Sequence, residues 1–310
     1  MISYGFSCLI RTMLLLYLMP VSNQKVWDMQ KTWLITGVSS GLGRLLAQKA
    51  LARGDSVVGT SRSADALPDL RERYPQRLGI IALDLKDQSS VRAAVDRAFE
   101  ERGRLDIVVS NAGYGLVGAA EEVSDQQVRD IIATNLMGSI TLIQAALPYL
   151  RKQGGGRIQQ LSSEGGQIVY PGLGLYHATK WGIEGFVETV ALEVAPFGIE
   201  LTLVEPGPTR TEFGGNLAHA EALAAYEETP VGQTRAAVRG SWVVKGDPER
   251  VTEAMIRLAD QKGPLPRRLV LGADAYAGIR NALSGRIAEL DSQKEISVAA
   301  DFTEAELARL

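Results

Sequence analysis

A single cysteine, Cys8, stands in 310 residues. One thiol cannot close an intrachain disulfide, and a cysteine-built zinc site is excluded with it. Histidine is nearly as scarce: His177 and His219 are the whole supply. That is too few for a His-rich metal site, so no metal is expected. The composition is that of a reduced compartment and points to the cytoplasm. Charge of one sign is also lacking: 33 Lys and Arg face 36 Asp and Glu, for a formal net charge of −3. No basic footprint for nucleic acid exists, and Arg267-Arg268 reads as a solvated strand edge. The most apolar N-terminal run, residues 8–21, is interrupted by Arg11 and falls short of the roughly 18–20 apolar residues of a spanning helix. A secretion signal would begin with basic residues and end at a small-residue cleavage site; residues 1–9 carry no basic side chain, and Met19-Pro-Val-Ser-Asn lacks the cleavage pattern. Residues 1–28 are therefore read as an extension outside the fold, ahead of the in-frame Met29. Peripheral membrane contact, confined to that stretch, is the alternative. Residues 29–310 are read as one catalytic domain.

What the sequence does have is alternation. Short apolar runs at 32–36 (TWLIT), 56–60 (SVVGT), 78–83, 105–110 (LDIVVS), 157–162, 200–204 and 269–271 read as strands. Between them, Leu42, Leu45, Leu46 and Ala50 fall at helical spacing before Gly54, and Asp87 is placed to cap a helix that Gly103 ends. Ser124 and Gln127 form a capping-box pattern at the head of a helix running to about Lys152. A helix from Gly174 to Pro196, one from Asp247-Pro248 to Asp260, and a last one from 273 to 290 complete the set. Such alternation predicts an α/β fold: a single doubly wound, Rossmann-type parallel sheet flanked by helices. Residues 214–246 are too irregular and long for an ordinary connection and are expected to form a substrate loop or lid.

Directly after the first strand comes Thr36-Gly37-Val38-Ser39-Ser40-Gly41-Leu42-Gly43. Glycines here let the chain turn sharply and bring backbone N–H groups of Ser39, Ser40 and Leu42 against a pyrophosphate, with a helix N-terminus behind them. The plain alternative is a structural turn. The second strand ends in Thr60-Ser61-Arg62-Ser63, with no carboxylate before Asp65. An acidic residue there would suit the ribose hydroxyls of NAD(H); Arg62 instead favours the 2′-phosphate of NADP(H). NADP(H) is thus the expected cofactor, with NAD(H) as the alternative.

Further on, Tyr176-His177-Ala178-Thr179-Lys180 puts a phenol and an ammonium four residues apart on one helical face. An isolated phenol ionises near pH 10, and a neighbouring ammonium lowers that value towards what acid–base work requires. His177 sits about 100° round the helix from Tyr176 and is not expected to act. Trp181 and Phe186 read as packing residues, and Glu164 as either a pocket residue or a solvated loop carboxylate.

With these motifs in order from Lys31 to Leu271, the chain resembles the short-chain dehydrogenase/reductase family, and its YHATKWGIEGF stretch is similar to bacterial relatives of the hydroxysteroid and retinol dehydrogenases. Besides TGVSSGLG, the resemblance rests on Asp84, matching an adenine-contacting aspartate, and Asn111-Ala112-Gly113 after the fourth strand, preceded by Ser110 where a second asparagine is more usual. It rests also on Asn135 in TNLMG, on Ser163 thirteen residues before Tyr176, and on Pro206-Gly207 with Thr211. The resemblance implies that Ser163 bonds the substrate oxygen and that Tyr176 exchanges a proton with it. Lys180 would lower the Tyr176 pKa and bind the nicotinamide ribose, while Asn135 holds a water leading to solvent. Pro206, Gly207 and Thr211 would touch the nicotinamide and phosphates. It further implies a homodimer or homotetramer paired through the helices near 125–152 and 174–196. Phe213, Leu217, Leu223 and Tyr226 suggest an uncharged, moderately hydrophobic ketone, aldehyde or secondary alcohol as substrate. An NADP(H)-binding regulator or scaffold without turnover is the competing expectation.

Overall fold

The computed structural model describes residues 30–241 and 243–309; the extension at 1–28 lies outside the described residues. Seven strands form one parallel sheet: β1 (Thr32–Thr36), β2 (Ser56–Ser61), β3 (Leu78–Ala82), β4 (Ile107–Ser110), β6 (Gly156–Leu161), β7 (Ile199–Pro206) and β9 (Arg268–Leu271). Their order is β3-β2-β1-β4-β6-β7-β9, with every pairing parallel. The order reverses beside β1, so a crevice opens at the carboxyl ends of β1 and β4. That switch point is where doubly wound sheets bind ligands.

Period-two alternation explains why the strands read as unbroken apolar runs. Leu34, Val58 and Val108 face one side, with the helices α3 (Gln88–Arg102), α5 (Gly138–Lys152) and α6 (Gly174–Val194) packed on them. Trp33, Ile35, Val57, Ile107 and Val109 face the other, under α1 (Gly41–Ala52) and α8 (Pro248–Asp260). Both faces of a parallel sheet are buried, so both sets must be apolar.

The expected caps are present. Asp87 accepts from the backbone N–H groups of Ser89 and Ser90, Ser124 and Gln127 close a capping box, and Asp247 accepts from Glu249 ahead of Pro248. Two expectations are corrected. The fourth strand starts at Ile107, because the Asp106 carboxylate turns aside to accept the Thr32 N–H at 2.9 Å. The helix after Ser124 is not continuous: α4 (Asp125–Ile131) leads into one wide π turn (Ile132–Met137) and then α5. The break follows from tertiary contacts. Gly138 lies so close to Leu85 that a Cβ would stand 2.8 Å from it, and Asn135 turns its side chain into the protein. By length and composition Asp125–Lys152 matches a spanning helix, but its apolar face is part of the core, with Leu142, Ile143 and Leu150 fully buried.

Residues 214–246 fold over the crevice, as expected of a lid, but as an anchored structure. A two-residue strand β8 (Ala218–His219) pairs in parallel with β5 (Leu116–Val117). The short helix α7 (Pro230–Ala236) carries Arg235, whose guanidinium bonds both Glu122 oxygens at 2.8 and 2.9 Å in a buried setting. Glu122 also accepts the backbone N–H groups of Ala119 and Leu223. Burial works to raise the Glu122 pKa, but these N–H groups and Arg235 outweigh it and hold the carboxyl below its usual range.

Candidate active site

One cavity of about 900 Å³ runs along the carboxyl edge of the sheet. It is bounded by the β1–α1 turn, the ends of β2, β4, β6 and β7, the first turns of α6, and the 213–244 segment. Among the residues picked from the sequence, Gly37, Ser39, Ser40, Gly41, Leu42, Arg62, Asp84, Asn111, Ala112, Gly113, Ser163, Tyr176, Lys180, Pro206, Gly207 and Thr211 all line it. Gly43 and Asn135 do not.

The glycine turn meets the requirements of a dinucleotide. Gly37 and Gly41 have φ of +73° and +54°, a region that disfavours side chains. A Cβ on Gly43 would stand 2.3 Å from the Gly37 carbonyl and 2.6 Å from Asn111 Nδ2, so close packing between helix and turn requires this third glycine. Asn111 braces the same turn, its Nδ2 donating to the carbonyls of Thr36 at 2.8 Å and Gly37 at 3.3 Å. Thr36 Oγ1 in turn accepts from the N–H groups of Asn111 and Ala112. The start of α1 presents N–H groups to the cavity, where an anion gains from the helix dipole.

A protein carboxylate is already there. Gly41 N–H donates to Glu212 Oε2 at 3.1 Å, and a bound pyrophosphate would have to displace that negative group. Glu212→Gln is expected to tighten binding of a nicotinamide dinucleotide by about 1 kcal/mol, or about fivefold in Kd. A cofactor fluorescence titration reads this directly; weaker binding would mean that Glu212 assists the nucleotide.

Where the cavity meets the end of β2, Arg62 is exposed, lines the cavity and has no ion-pair partner among the described residues, while the Ser61 side chain is buried beside it. Asp84 follows β3 at the cavity rim, accepting the Lys86 N–H at 3.0 Å.

The reacting end is organised by α6. Tyr176 and Lys180, one turn apart, both face the cavity, with Lys180 Nζ 5.7 Å from the centre of the phenol ring. Lys180 Nζ donates to the Leu161 carbonyl at 2.9 Å, which anchors the ammonium at the end of β6. Burial drags its pKa down to about 8, against the pull of the Glu184 carboxylate. Burial likewise pushes the Tyr176 phenol up to about 12, with Ser163 pulling the other way. Burial thus works against the lowering expected from Lys180, and the phenol rests in its neutral form.

His177 is occupied on both nitrogens. Its Nδ1 faces the Gly165 carbonyl at 2.8 Å, and its Nε2 accepts the Tyr170 N–H at 2.8 Å, so the proton sits on Nδ1. Burial holds its pKa below the usual value. This histidine fixes the 163–170 loop. Asn135 spends its side chain on Tyr114, accepting from its N–H at 3.0 Å and donating to its carbonyl at 2.7 Å, with a longer bond to Thr179. Phe213 and Leu217 line the cavity, with the Phe213 ring 6.1 Å from Tyr176. Leu223 and Tyr226 do not, because the Tyr226 hydroxyl turns outward to Glu121.

Sequence reasoning passed over two residues here and left a third undecided. Glu212 carries no motif. Glu184, one turn beyond Lys180, is buried and accepts from Ser162 Oγ at 2.5 Å and Arg268 Nη1 at 2.5 Å. Glu164, left open above, proves to be buried and lines the cavity.

Comparison with known proteins agrees with this arrangement. A family model described as short chain dehydrogenase matches residues 31–222. Oxidoreductase BOA17 of Botryotinia fuckeliana is 36% identical over 275 residues, covering 87% of this chain and 99% of its own length. Human 17-beta-hydroxysteroid dehydrogenase type 1 is 36% identical over 189 residues, covering 58% of this chain and 57% of its own. A crystal structure of a short-chain dehydrogenase from Streptomyces avermitilis superposes with a TM-score of 0.82 at 41% identity, covering 88% of this chain and 99% of that one. An alcohol dehydrogenase from Thermococcus sibiricus, complexed with 5-hydroxy-NADP, gives a TM-score of 0.64 at 25% identity, covering 78% and 96%. The chain belongs to the short-chain dehydrogenase/reductase family of nicotinamide-dependent oxidoreductases.

Proposed function

We propose that this protein is an NADP(H)-dependent reductase that converts a ketone or aldehyde to the alcohol, with Tyr176 as the proton donor. The observation that carries the reading is the meeting of Tyr176, Lys180 and Ser163 at one end of a cavity whose other end is the glycine turn. Bound there, the reduced cofactor supplies a hydride. Ser163 and Tyr176 hold the carbonyl oxygen by hydrogen bonds, and Tyr176 passes its proton as negative charge builds on that oxygen. Lys180, an ammonium below pH about 8, stabilises the phenolate left behind. The side chain of Asn135 is engaged by Tyr114, so any water it orders falls to its main chain, whose carbonyl also accepts the Ser139 hydroxyl at 3.0 Å. In the reverse direction the same phenol, as phenolate, would take the proton from an alcohol.

Arg62 supports NADP(H) over NAD(H), because its guanidinium is available to a 2′-phosphate. Arg62→Ala is expected to weaken NADPH binding by about 1.5–3 kcal/mol and to leave NADH nearly unchanged, as read by parallel titrations. Equal weakening of both would remove the basis for the preference. The apolar wall of Phe213, Leu217, Val238 and Val244 supports a moderately hydrophobic substrate. Exposed Trp181 and Leu192 on α6 support pairing of two copies through that helix. Turnover of a ketone and aldehyde panel with NADPH tests the reading as a whole; cofactor binding without turnover of any compound would favour the non-catalytic regulator.

A further inference from the structure

Lys180 is a cation that the fold has taken out of water, 8% exposed and bonded to the Leu161 carbonyl at 2.9 Å. A buried ammonium tends to shed its proton, yet the proposed reaction needs it charged. One turn further along α6, Glu184 is buried too, so Tyr176, Lys180 and Glu184 follow one another on one helical face. Glu184 does not line the cavity. Its Oε1 accepts the Ser162 hydroxyl at 2.5 Å and its Oε2 accepts Arg268 Nη1 at 2.5 Å. Leu161 and Ser162 are consecutive at the end of β6, so neighbouring residues hold the ammonium and the carboxylate, and Ser163 comes next. Gly166 makes the room: a Cβ there would stand 1.7 Å from Glu184 Oε1. Arg268, expected at a solvated strand edge, is instead turned inward, bonding Glu188 at 2.8 Å and Glu205 at 2.7 Å as well as Glu184. Glu205 is fully buried, and burial, with Glu184, raises its pKa against Arg268 and Gln167, which disposes it to hold a proton. The remaining titratable neighbours are otherwise engaged. His177 is bonded on both nitrogens, and Glu164 from the 163–170 loop bears on Tyr176. The π turn presents the neutral Asn135. The carboxylate that bears on Lys180 is Glu184.

We propose that Glu184 is a positioning residue for the reaction: clamped by Ser162 and Arg268, it keeps the buried Lys180 charged while Tyr176 gives up its proton. This rests on the reductase reading above and adds to it a residue that lies behind the reacting groups and away from the cavity. Arg268 draws on the same carboxylate, so the two have opposite effects on Lys180. Glu184 favours the ammonium, and Arg268, by offsetting that negative charge, disfavours it.

The test reads Lys180 itself, without cofactor, by NMR titration of the protein carrying carbon-13 at the lysine Cε; the Lys180 resonance is the one missing from Lys180→Met. The wild-type midpoint is expected at pH about 8. Glu184→Gln keeps the shape and an oxygen for Ser162 but loses the charge, and is expected to lower the midpoint by about one pH unit. Arg268→Met is expected to raise it. A general loosening of the fold would not move the two variants in opposite directions. The alkaline decline of single-turnover ketone reduction with NADPH should follow each shift in the same sense. A Lys180 midpoint unmoved by Glu184→Gln, or moved the same way in both variants, would overturn the inference while leaving the reductase reading intact. So would a kinetic decline that stays in place while the midpoint moves. Should Glu184→Gln fail to fold, an unmoved or lowered midpoint in Arg268→Met overturns it equally. If the wild type reduces no ketone or aldehyde of any kind, the reductase reading itself fails, whatever the titration shows.

Discussion

Tyr176→Phe is expected to lower carbonyl reduction by about 10²–10⁴-fold, the range over which a positioned general acid contributes. The substitution removes one hydroxyl and keeps the ring, so the 5.7 Å approach of Lys180 Nζ to the ring centre and the Phe213 contact are preserved. The hydrogen bond with Ser163 is lost, but the ring packing remains, and stability should stay close to the wild type. What disappears is the proton that has to reach the substrate oxygen as negative charge develops there. Water in the cavity and the Ser163 hydroxyl would sustain a residual rate. Single-turnover oxidation of bound NADPH in the presence of a ketone gives the number. Retention of the wild-type rate would assign the proton to another group.

The second large effect is structural. Arg235→Ala is expected to destabilise the protein by about 3–5 kcal/mol, the usual cost of removing one member of a buried ion pair. The Glu122 side chain is 0% exposed and the Arg235 side chain 5%, so the remaining carboxylate would stay in the interior with only the Ala119 and Leu223 N–H groups to hold it. This pair fastens α7 to the loop after β5, and α7 leads into the Ala237, Val238 and Gly240 lining of the cavity. Loss of protection in hydrogen exchange should therefore concentrate in residues 218–241. The double replacement Glu122→Leu with Arg235→Met should recover much of the loss, because exchanging a buried pair for apolar side chains is often neutral. A double variant as unstable as the single one would mean that the charges themselves, and not their pairing, hold the segment.

How much of this was legible beforehand follows from the range of the interactions involved. The strands of the sheet were readable because parallel strands buried on both faces leave unbroken apolar runs, as in TWLIT and SVVGT. The glycine turn and the Tyr176–Lys180 pair were readable because their geometry is set within a few residues. The π turn at Ile132–Met137 was not: it depends on Asn135 meeting Tyr114, 21 positions away, and on Gly138 meeting Leu85. Glu212 could not be foreseen at the head of α1, since 171 positions separate it from Gly41. Gly43 was readable as part of the glycine turn, but its close packing against Gly37 and Asn111 was not. The lid was visible as irregularity, but the Arg235–Glu122 anchor across 113 positions was not. Burial decides the proton affinities, and burial is a property of the fold: neither the neutral Tyr176 nor the buried Glu164 is written in local sequence.

In the proposed reaction a neutral phenol is made competent by an adjacent ammonium. The most direct test is the pH dependence of the single-turnover rate of ketone reduction with saturating NADPH. Lys180 is protonated below its depressed pKa of about 8 and loses its proton as pH rises through it. The wild-type rate is therefore expected to be level below pH about 8 and to fall above it, whereas Lys180→Met, with no ammonium to lose, should be slower throughout and free of that decline. A wild-type rate that stays level through this region, or a decline that persists unchanged in Lys180→Met, would contradict the account.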